Sequence, residues 1–290
     1  MKRKIGDRRD AKKIRNLDGM HYILADLKPD RCDADVYINQ TFDVTKLVKY
    51  LDKKKKEHPD LHITFFHAFS QAIAKLIYNK PLMNRFVANR TYYERNEVKL
   101  GFAAKVKFDE KSEELLCVID VKPNETFMDT QKKISDRVLK IRSNKKSDTN
   151  NAISVVGHLP KFIRVLVVGI FKWVDKHGWL PKSFVNDNIY YTSVIMSNLG
   201  SINCGSIYHN LTNFGTNSIL ATIGKVHKEE ILLENGKKEI RDVCDFGINI
   251  DERIADGVYF AKSLNLLQYI FDNPELLDEK ASEKINEKKQ

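Results

Sequence analysis

The strongest constraint on the fold lies near the C-terminus. Two β-rich runs, Ser218 to Val226 and Glu239 to Ile250, flank Glu234-Asn235-Gly236-Lys237. Asn-Gly is the strongest short hairpin signal, because a tight two-residue turn needs positive φ at its centre. The second run delivers Asp251-Glu252-Arg253-Ile254-Ala255-Asp256-Gly257 straight into a helical pattern from Val258 to Phe271, carried by Tyr259, Phe260, Leu264, Leu267 and Ile270. Asp256 is placed to cap that helix, and Gly257 permits close backbone approach. On spacing alone, the segment is a capped strand–helix junction.

The rest of the chain supplies partners of both kinds. Val36 to Val44 is β-branched and aromatic, as a strand requires. A helix opens at Asp43-Val44-Thr45, ends in the solvated run Lys53 to Lys56, and is stopped by Pro59. Phe65, Phe66, Phe69, Ile73, Leu76 and Ile77 fall on one helical face. Strands are expected over 86–93, 98–106, 115–121 and 189–196, and helices over 126–141 and 160–176. Residues 142–151 read as a polar loop. No repeat and no linker divides the chain, so one α+β domain is expected, with a mostly antiparallel or mixed sheet flanked by helices.

Composition narrows the function. The 290 residues include fifteen Phe and eleven Tyr, too much core material for a disordered chain. Cys32, Cys117, Cys204 and Cys244 are widely separated, so neither a CxxC metal pair nor a disulfide framework is expected. No signal peptide is recognisable, and a cytoplasmic location is expected. The most apolar stretch, Phe162 to Phe171, is interrupted by Arg164 and falls short of the ~20 residues that a membrane span needs. An amphipathic, interfacial or subunit-facing helix stays open there. The net charge of +10 is concentrated in residues 1–15, which hold eight basic and two acidic side chains. That arm is either a solvated tail or a segment attracted to an anion such as nucleic acid, a lipid headgroup or a nucleotide phosphate. Phosphate-loop, dinucleotide, zinc-protease and nucleophile-elbow motifs are absent, and the eight His are scattered. A second notable segment is Thr192-Ser-Val-Ile-Met-Ser-Asn-Leu-Gly200. It is a strand running into a turn, whose Ser193 and Ser197 can donate to a developing oxyanion or simply serve the strand end.

Three separated elements, Ser197-Asn198-Leu199-Gly200, Asn235-Gly236 and Asp251-Glu252-Arg253-Ile254-Ala255-Asp256-Gly257, agree in order and spacing with a family pattern. The C-terminal hundred residues resemble the catalytic domain of the dihydrolipoamide acyltransferases of 2-oxo acid dehydrogenase complexes. They also resemble chloramphenicol acetyltransferase, which shares that fold. Phe65-Phe-His-Ala-Phe-Ser-Gln-Ala-Ile73 resembles an early helix of the family, which extends the likeness over residues 20–275. Residues 1–19 are then a basic arm and 276–290 a charged, frayed tail.

The resemblance implies a two-layer α+β fold with helices on one side of a mixed sheet. It also implies a homotrimer with active sites between subunits. The activity implied is coenzyme A-dependent acyl transfer, from acyl-CoA to a small thiol, hydroxyl or amine, by direct attack in a ternary complex. Neither metal, covalent lipoyl group nor nucleic acid is expected; weak membrane-surface contact stays open through the arm and the 160–180 helix. Ser193 would steady the oxyanion, Ser197, Asn198 and Gly200 would bind the coenzyme, and Asp256 paired with Arg31 would brace the turn. One departure is large: Glu252 stands where the family has its basic histidine. A free carboxyl near ~4.3 is mismatched to a thiol near ~8.5 by roughly 5–6 kcal/mol, and an imidazole near ~6.5 by about half that. Two readings follow. Glu252 is a base tuned by its surroundings, or the protein binds coenzyme A, acyl-CoA or a partner without catalysis.

Overall fold

The computed structural model describes residues 4–105, 114–143, 156–233 and 235–286. Its strands are β1 (Ala11–Lys13), β2 (Asp35–Asp43), β3 (Arg85–Ala88), β4 (Thr91–Arg95), β5 (Val98–Lys105), β6 (Glu114–Val121), β7 (Val194–Asn198), β8 (Ile219–Leu232) and β9 (Lys238–Asp251). Its helices are α1 (Gly19–Leu27), α2 (Thr45–Glu57), α3 (Phe65–Asn79), α4 (Phe127–Ser143), α5 (Lys161–Lys176), α6 (Lys182–Asn186) and α7 (Gly257–Asp272).

Six strands form the central sheet in the order β2-β9-β8-β7-β5-β6. β7 runs parallel to β5 and β8, and the other pairs are antiparallel. The expected mixed sheet is therefore present. One face is covered by helices, because strand alternation turns Phe42 and Phe246 to the same side. There Phe246 meets Phe42 at 5.1 Å and Phe69 of α3 at 4.9 Å, and Phe271 of α7 meets Phe42 at 5.4 Å between ring centroids. All four rings are buried. This is the two-layer α+β arrangement.

An extended strap over residues 206–217 crosses the other face. Ile207 N donates to Thr222 Oγ1 of β8 (3.1 Å), His209 N to Asn249 Oδ1 of β9 (3.1 Å), and Leu211 N to Asp35 Oδ2 of β2 (3.0 Å). Gly247 is required beneath it, since a Cβ there would stand 2.2 Å from Ile207 O. Each short polar side chain thus satisfies a strap amide that no strand reaches.

Several expectations need correction. The strand expected over 86–93 is a hairpin, β3 and β4, reversed at Asn89 (φ 48) and Arg90 (φ 55). With β1 it makes a second, three-stranded sheet. Residues Ile189–Tyr191 form a 3-10 turn, so β7 starts later than expected, at Val194. β8 and β9 each run to fourteen residues, longer than their apolar stretches. The 142–151 loop lies, beyond Ser143, outside the described residues. Gly257 has nothing within 4 Å of an added Cβ, so it serves no close approach within the chain.

Neither terminus is the free segment expected. In the N-terminal arm, Arg8 is buried, donates to Asp175 O (2.9 Å) and Asp10 Oδ1 (3.3 Å), and stacks over Phe86. Ala11 to Lys13 adds a strand to the small sheet. At the other end, the fully buried Lys75 ammonium of α3 donates to Glu279 Oε2 (3.0 Å) and Lys280 O (3.1 Å), while Ala281 is buried. A buried lysine needs such partners, and the charged tail supplies them.

Candidate active site

The turn after β9 is built on a buried ionic cluster. Asp251, the last residue of β9, is fully buried on the strap face. Its Oδ1 accepts from Arg253 N (3.1 Å) and Nε (2.8 Å), and its Oδ2 from Arg253 Nη2 (2.7 Å). The guanidinium of Arg253 also donates through Nη1 to Lys28 O (2.6 Å). Arg31 Nε lies 4.0 Å from Asp251 Oδ2. Asp35 pairs across β2 with Asp251 in the sheet register. Two carboxylates thus lie beside two guanidiniums, and the Asp175 charge also acts on Arg31. Burial pushes the Arg31 guanidinium down from its ordinary value, and the Asp251 charge opposes that shift. Burial likewise raises the Asp35 carboxyl.

Glu252 sits in front of this cluster, at the start of a 3-10 turn over Glu252–Ile254. Its side chain keeps 35% exposure and accepts a hydrogen bond from Lys28 Nζ, which extends from the end of α1. Lys28 carries no sequence signal, because only the folded turn brings it to the site.

The expected pair of Arg31 with Asp256 is not formed. Asp256 is exposed and its Oδ1 accepts from Tyr259 N (2.7 Å), capping α7. It begins the helix, so its carboxylate faces the first-turn amides, whereas Asp251 ends a strand and faces inward. Arg31 is nonetheless a bracing residue. It donates to Thr212 O, Val87 O (3.3 Å) and Gly215 O (3.0 Å), joining the strap to the small sheet.

Ser193 lies on the strap face at the same end of the sheet as Asp251, with one intervening strand. At about 4.8 Å per strand, that is roughly 10 Å away. It is buried, and its Oγ accepts from Lys99 N (3.1 Å). The hydroxyl stitches β7 to β5 and does not meet Glu252. Ser197 lies at the far end of β7 and is half-buried, with no hydrogen-bond partner for its hydroxyl among the described residues. Asn198 caps the following 3-10 turn by accepting from Ser201 N (3.3 Å). Gly200 presses on β8, where a Cβ would stand 2.6 Å from Gly224 O. From Asp251, next to Glu252, to Ser197 the path spans two strand spacings and four residues, about 16 Å within one chain. Among the described residues no group of three His, Cys, Asp or Glu side chains is arranged to hold a metal.

This two-layer sheet, with a charged turn leading from its long hairpin into the last helix, defines the chloramphenicol acetyltransferase-like class of folds. Residues 186–278 match the family of 2-oxoacid dehydrogenases acyltransferase (catalytic domain). None of the curated proteins matches the chain. A probable dihydrolipoamide acetyltransferase from Listeria monocytogenes is similar at 16% identity and a TM-score of 0.60, over 90% of this chain and 95% of that one. The cubic core of the pyruvate dehydrogenase multienzyme complex gives 14% and 0.61, over 92% and 94%. A chloramphenicol acetyltransferase gives 12% and 0.51, over 90% and 99%. The fold is shared along nearly the whole chain, and the sequence signature is carried by its C-terminal third.

Proposed function

We propose that this protein is a coenzyme A-dependent acyltransferase in which Glu252 occupies the position of the general base. The observation that carries the reading is the placement of Glu252. A buried Asp251–Arg253 pair, backed by Arg31, holds it at the end of β9 with part of its carboxylate open to solvent. In this reading an acceptor thiol, hydroxyl or amine attacks the thioester carbonyl carbon and Glu252 takes its proton. The tetrahedral oxyanion collapses, the carbon–sulfur bond breaks, and the proton returns to the departing coenzyme A thiolate. Ser197, Asn198 and Gly200 are proposed to contact the coenzyme. The half-buried Ser197 hydroxyl suits that part, and the burial of Ser193 suits the oxyanion role poorly. Since Asp251, next to Glu252, and Ser197 stand about 16 Å apart in one chain, a site using both Glu252 and the Ser197 turn takes them from neighbouring copies, in keeping with a trimer.

The Lys28–Glu252 ion pair favours a second reading, in which the fold binds coenzyme A or acyl-CoA without turnover. The pair occupies the Glu252 carboxylate, although at about one-third exposure breaking it costs only about 0–1 kcal/mol. Loss of thioester absorbance from acetyl-CoA, followed with a panel of thiols, alcohols and amines, separates the two. The enzyme reading expects turnover that Glu252→Gln abolishes and Glu252→His raises. If wild type and Glu252→His are both inert while calorimetry detects coenzyme A binding, the second reading stands. If coenzyme A does not bind, both fail.

A further inference from the structure

The strap, the ionic cluster and the hairpin leave α5 without a task. Its sequence is apolar almost all round, yet its first ten residues are exposed apart from half-buried Val167. At 100° per residue, Phe162, Leu166, Ile170 and Trp173 form one stripe, and they are 75%, 63%, 54% and 53% exposed. The other side of the helix is anchored. Phe171 and Val174 pack on the Leu180, Val185 and Tyr191 cluster, and the buried Asp175 accepts from Tyr191 Oη (2.6 Å) and Gly215 N (3.0 Å). The stripe is therefore a fixed outer surface of the folded chain.

Charge selects what covers it. Asp175 is the helix's one acid, and it is turned inward against Arg8. The charges that α5 exposes, Lys161, Arg164, Lys172 and Lys176, are all cations. Arg9, exposed on the N-terminal segment, donates to Leu180 O (3.3 Å) just beyond the helix, and Lys182 follows. Trp173 and Trp179 meet edge to face at 5.2 Å, with His177 against both, at the same end. An exposed apolar stripe on a helix whose own exposed charges are all cations, ending in paired tryptophans, is what an anionic bilayer surface accepts in its headgroup layer. A second copy would present the same cations to these, and isologous pairing would set like charges together. At ~1.5 Å per residue α5 is roughly 24 Å long, and no helix among the described residues is long and apolar enough to cross a membrane. The helix would lie in the surface, not span it.

We infer that α5, with the adjoining N-terminal segment, docks this protein on anionic phospholipid bilayers. The inference is independent of acyl transfer. The test is cosedimentation of the full chain with vesicles of phosphatidylcholine alone or with about one-third phosphatidylserine. Binding to the anionic vesicles is expected, weakened by salt. Tryptophan emission should shift to the blue, since Trp173 and Trp179 are the only tryptophans. The double variant Leu166→Gln, Ile170→Gln should bind at least roughly tenfold more weakly, and Lys172→Gln about fivefold more weakly. All altered side chains are exposed, and circular dichroism checks that the fold is kept. Failure of the wild type to bind anionic vesicles overturns the inference, as does full binding by the Leu166→Gln, Ile170→Gln variant. If light scattering shows an oligomer that this variant dissociates, with no vesicle binding by either form, the stripe is a self-association surface and the inference is wrong.

Discussion

Replacing Asp251 with Asn tests the foundation of the site. The substitution keeps the shape of the side chain and removes its charge. Wild-type Asp251 is fully buried and accepts three hydrogen bonds from Arg253, with Arg31 at 4.0 Å. After the change, two guanidiniums that are 1% and 4% exposed are left with Asp35 and, for Arg31, Asp175 as the carboxylates acting on them. Removing one partner of a buried ion pair costs about 3–5 kcal/mol. The lower end applies here, because Arg253 keeps its bond to Lys28 O and Arg31 keeps Val87 O and Gly215 O. At about 2–4 °C per kcal/mol for a chain of this size, the melting temperature should fall by roughly 6–12 °C. Adding Arg253→Met to Asp251→Asn should recover part of that loss, since removing both charges leaves less unpaired. The assay is thermal unfolding by circular dichroism at neutral pH. A fall of less than about 2 °C for the single variant would refute the claim that this pair holds the turn.

Other consequences can be measured on the same protein. His67 is buried, its Nδ1 accepts from Thr64 N (3.1 Å), and burial holds its imidazole down at about 4. The unfolded chain takes up that proton first, near ~6.5, so the contribution of His67 is complete above that pH. It is lost as pH falls through about 4, a change of roughly 3 kcal/mol that urea midpoints at several pH values should reveal and His67→Asn should flatten. Gly247→Ala should lift the strap off Ile207 O and cost about 1–3 kcal/mol, with faster hydrogen exchange at the Ile207 and His209 amides. Cys32 and Cys204 are exposed, whereas burial raises the Cys117 thiol to about 11 and Cys244 to about 12. A thiolate-selective reagent should therefore leave Cys117 and Cys244 unmodified until the chain unfolds, as peptide mapping would show. Lys28→Met should leave stability within about 1 kcal/mol by thermal unfolding, because the ion pair it removes is about one-third exposed.

The sequence made the long-range frame legible where one residue type has one physical use. Asn235-Gly236 marked a hairpin, and Gly236 does take a positive φ of 77°. The apolar face of α3 was readable because fifteen residues repeat one period. Asp256 was correctly expected to cap α7. What stayed hidden depends on contacts between distant segments. The partner of Arg31 was read as Asp256 on motif order, yet side-chain alternation along β9 turns Asp251 inward. Lys28 reaches Glu252 only because the strap and the small sheet set the end of α1 beside the turn. The two ends looked free because they are rich in charge. Arg8 and Lys75 show why that inference fails: a buried cation needs a carbonyl or carboxylate from somewhere, and the termini take part in that pairing.

The motif around Glu252 divides by what the fold itself requires. Asp251 and Arg253 form a buried ion pair whose disruption costs several kcal/mol. Asp256 caps a helix, which is worth about 0.5–2 kcal/mol. These residues serve the fold whether or not the turn is catalytic. A match to the family pattern at these positions therefore reports on folding before it reports on chemistry. Glu252 and Gly257 are different. Glu252 is 35% exposed in a weak ion pair, and a Cβ at Gly257 would meet nothing within 4 Å of the same chain. Exposed substitutions of this kind usually change stability by no more than about 0.5 kcal/mol. The fold leaves both positions free of tight packing within the chain. The proposed base thus falls at a position where stability has almost no say, and it is on Glu252, not on the residues that frame it, that function has to be measured.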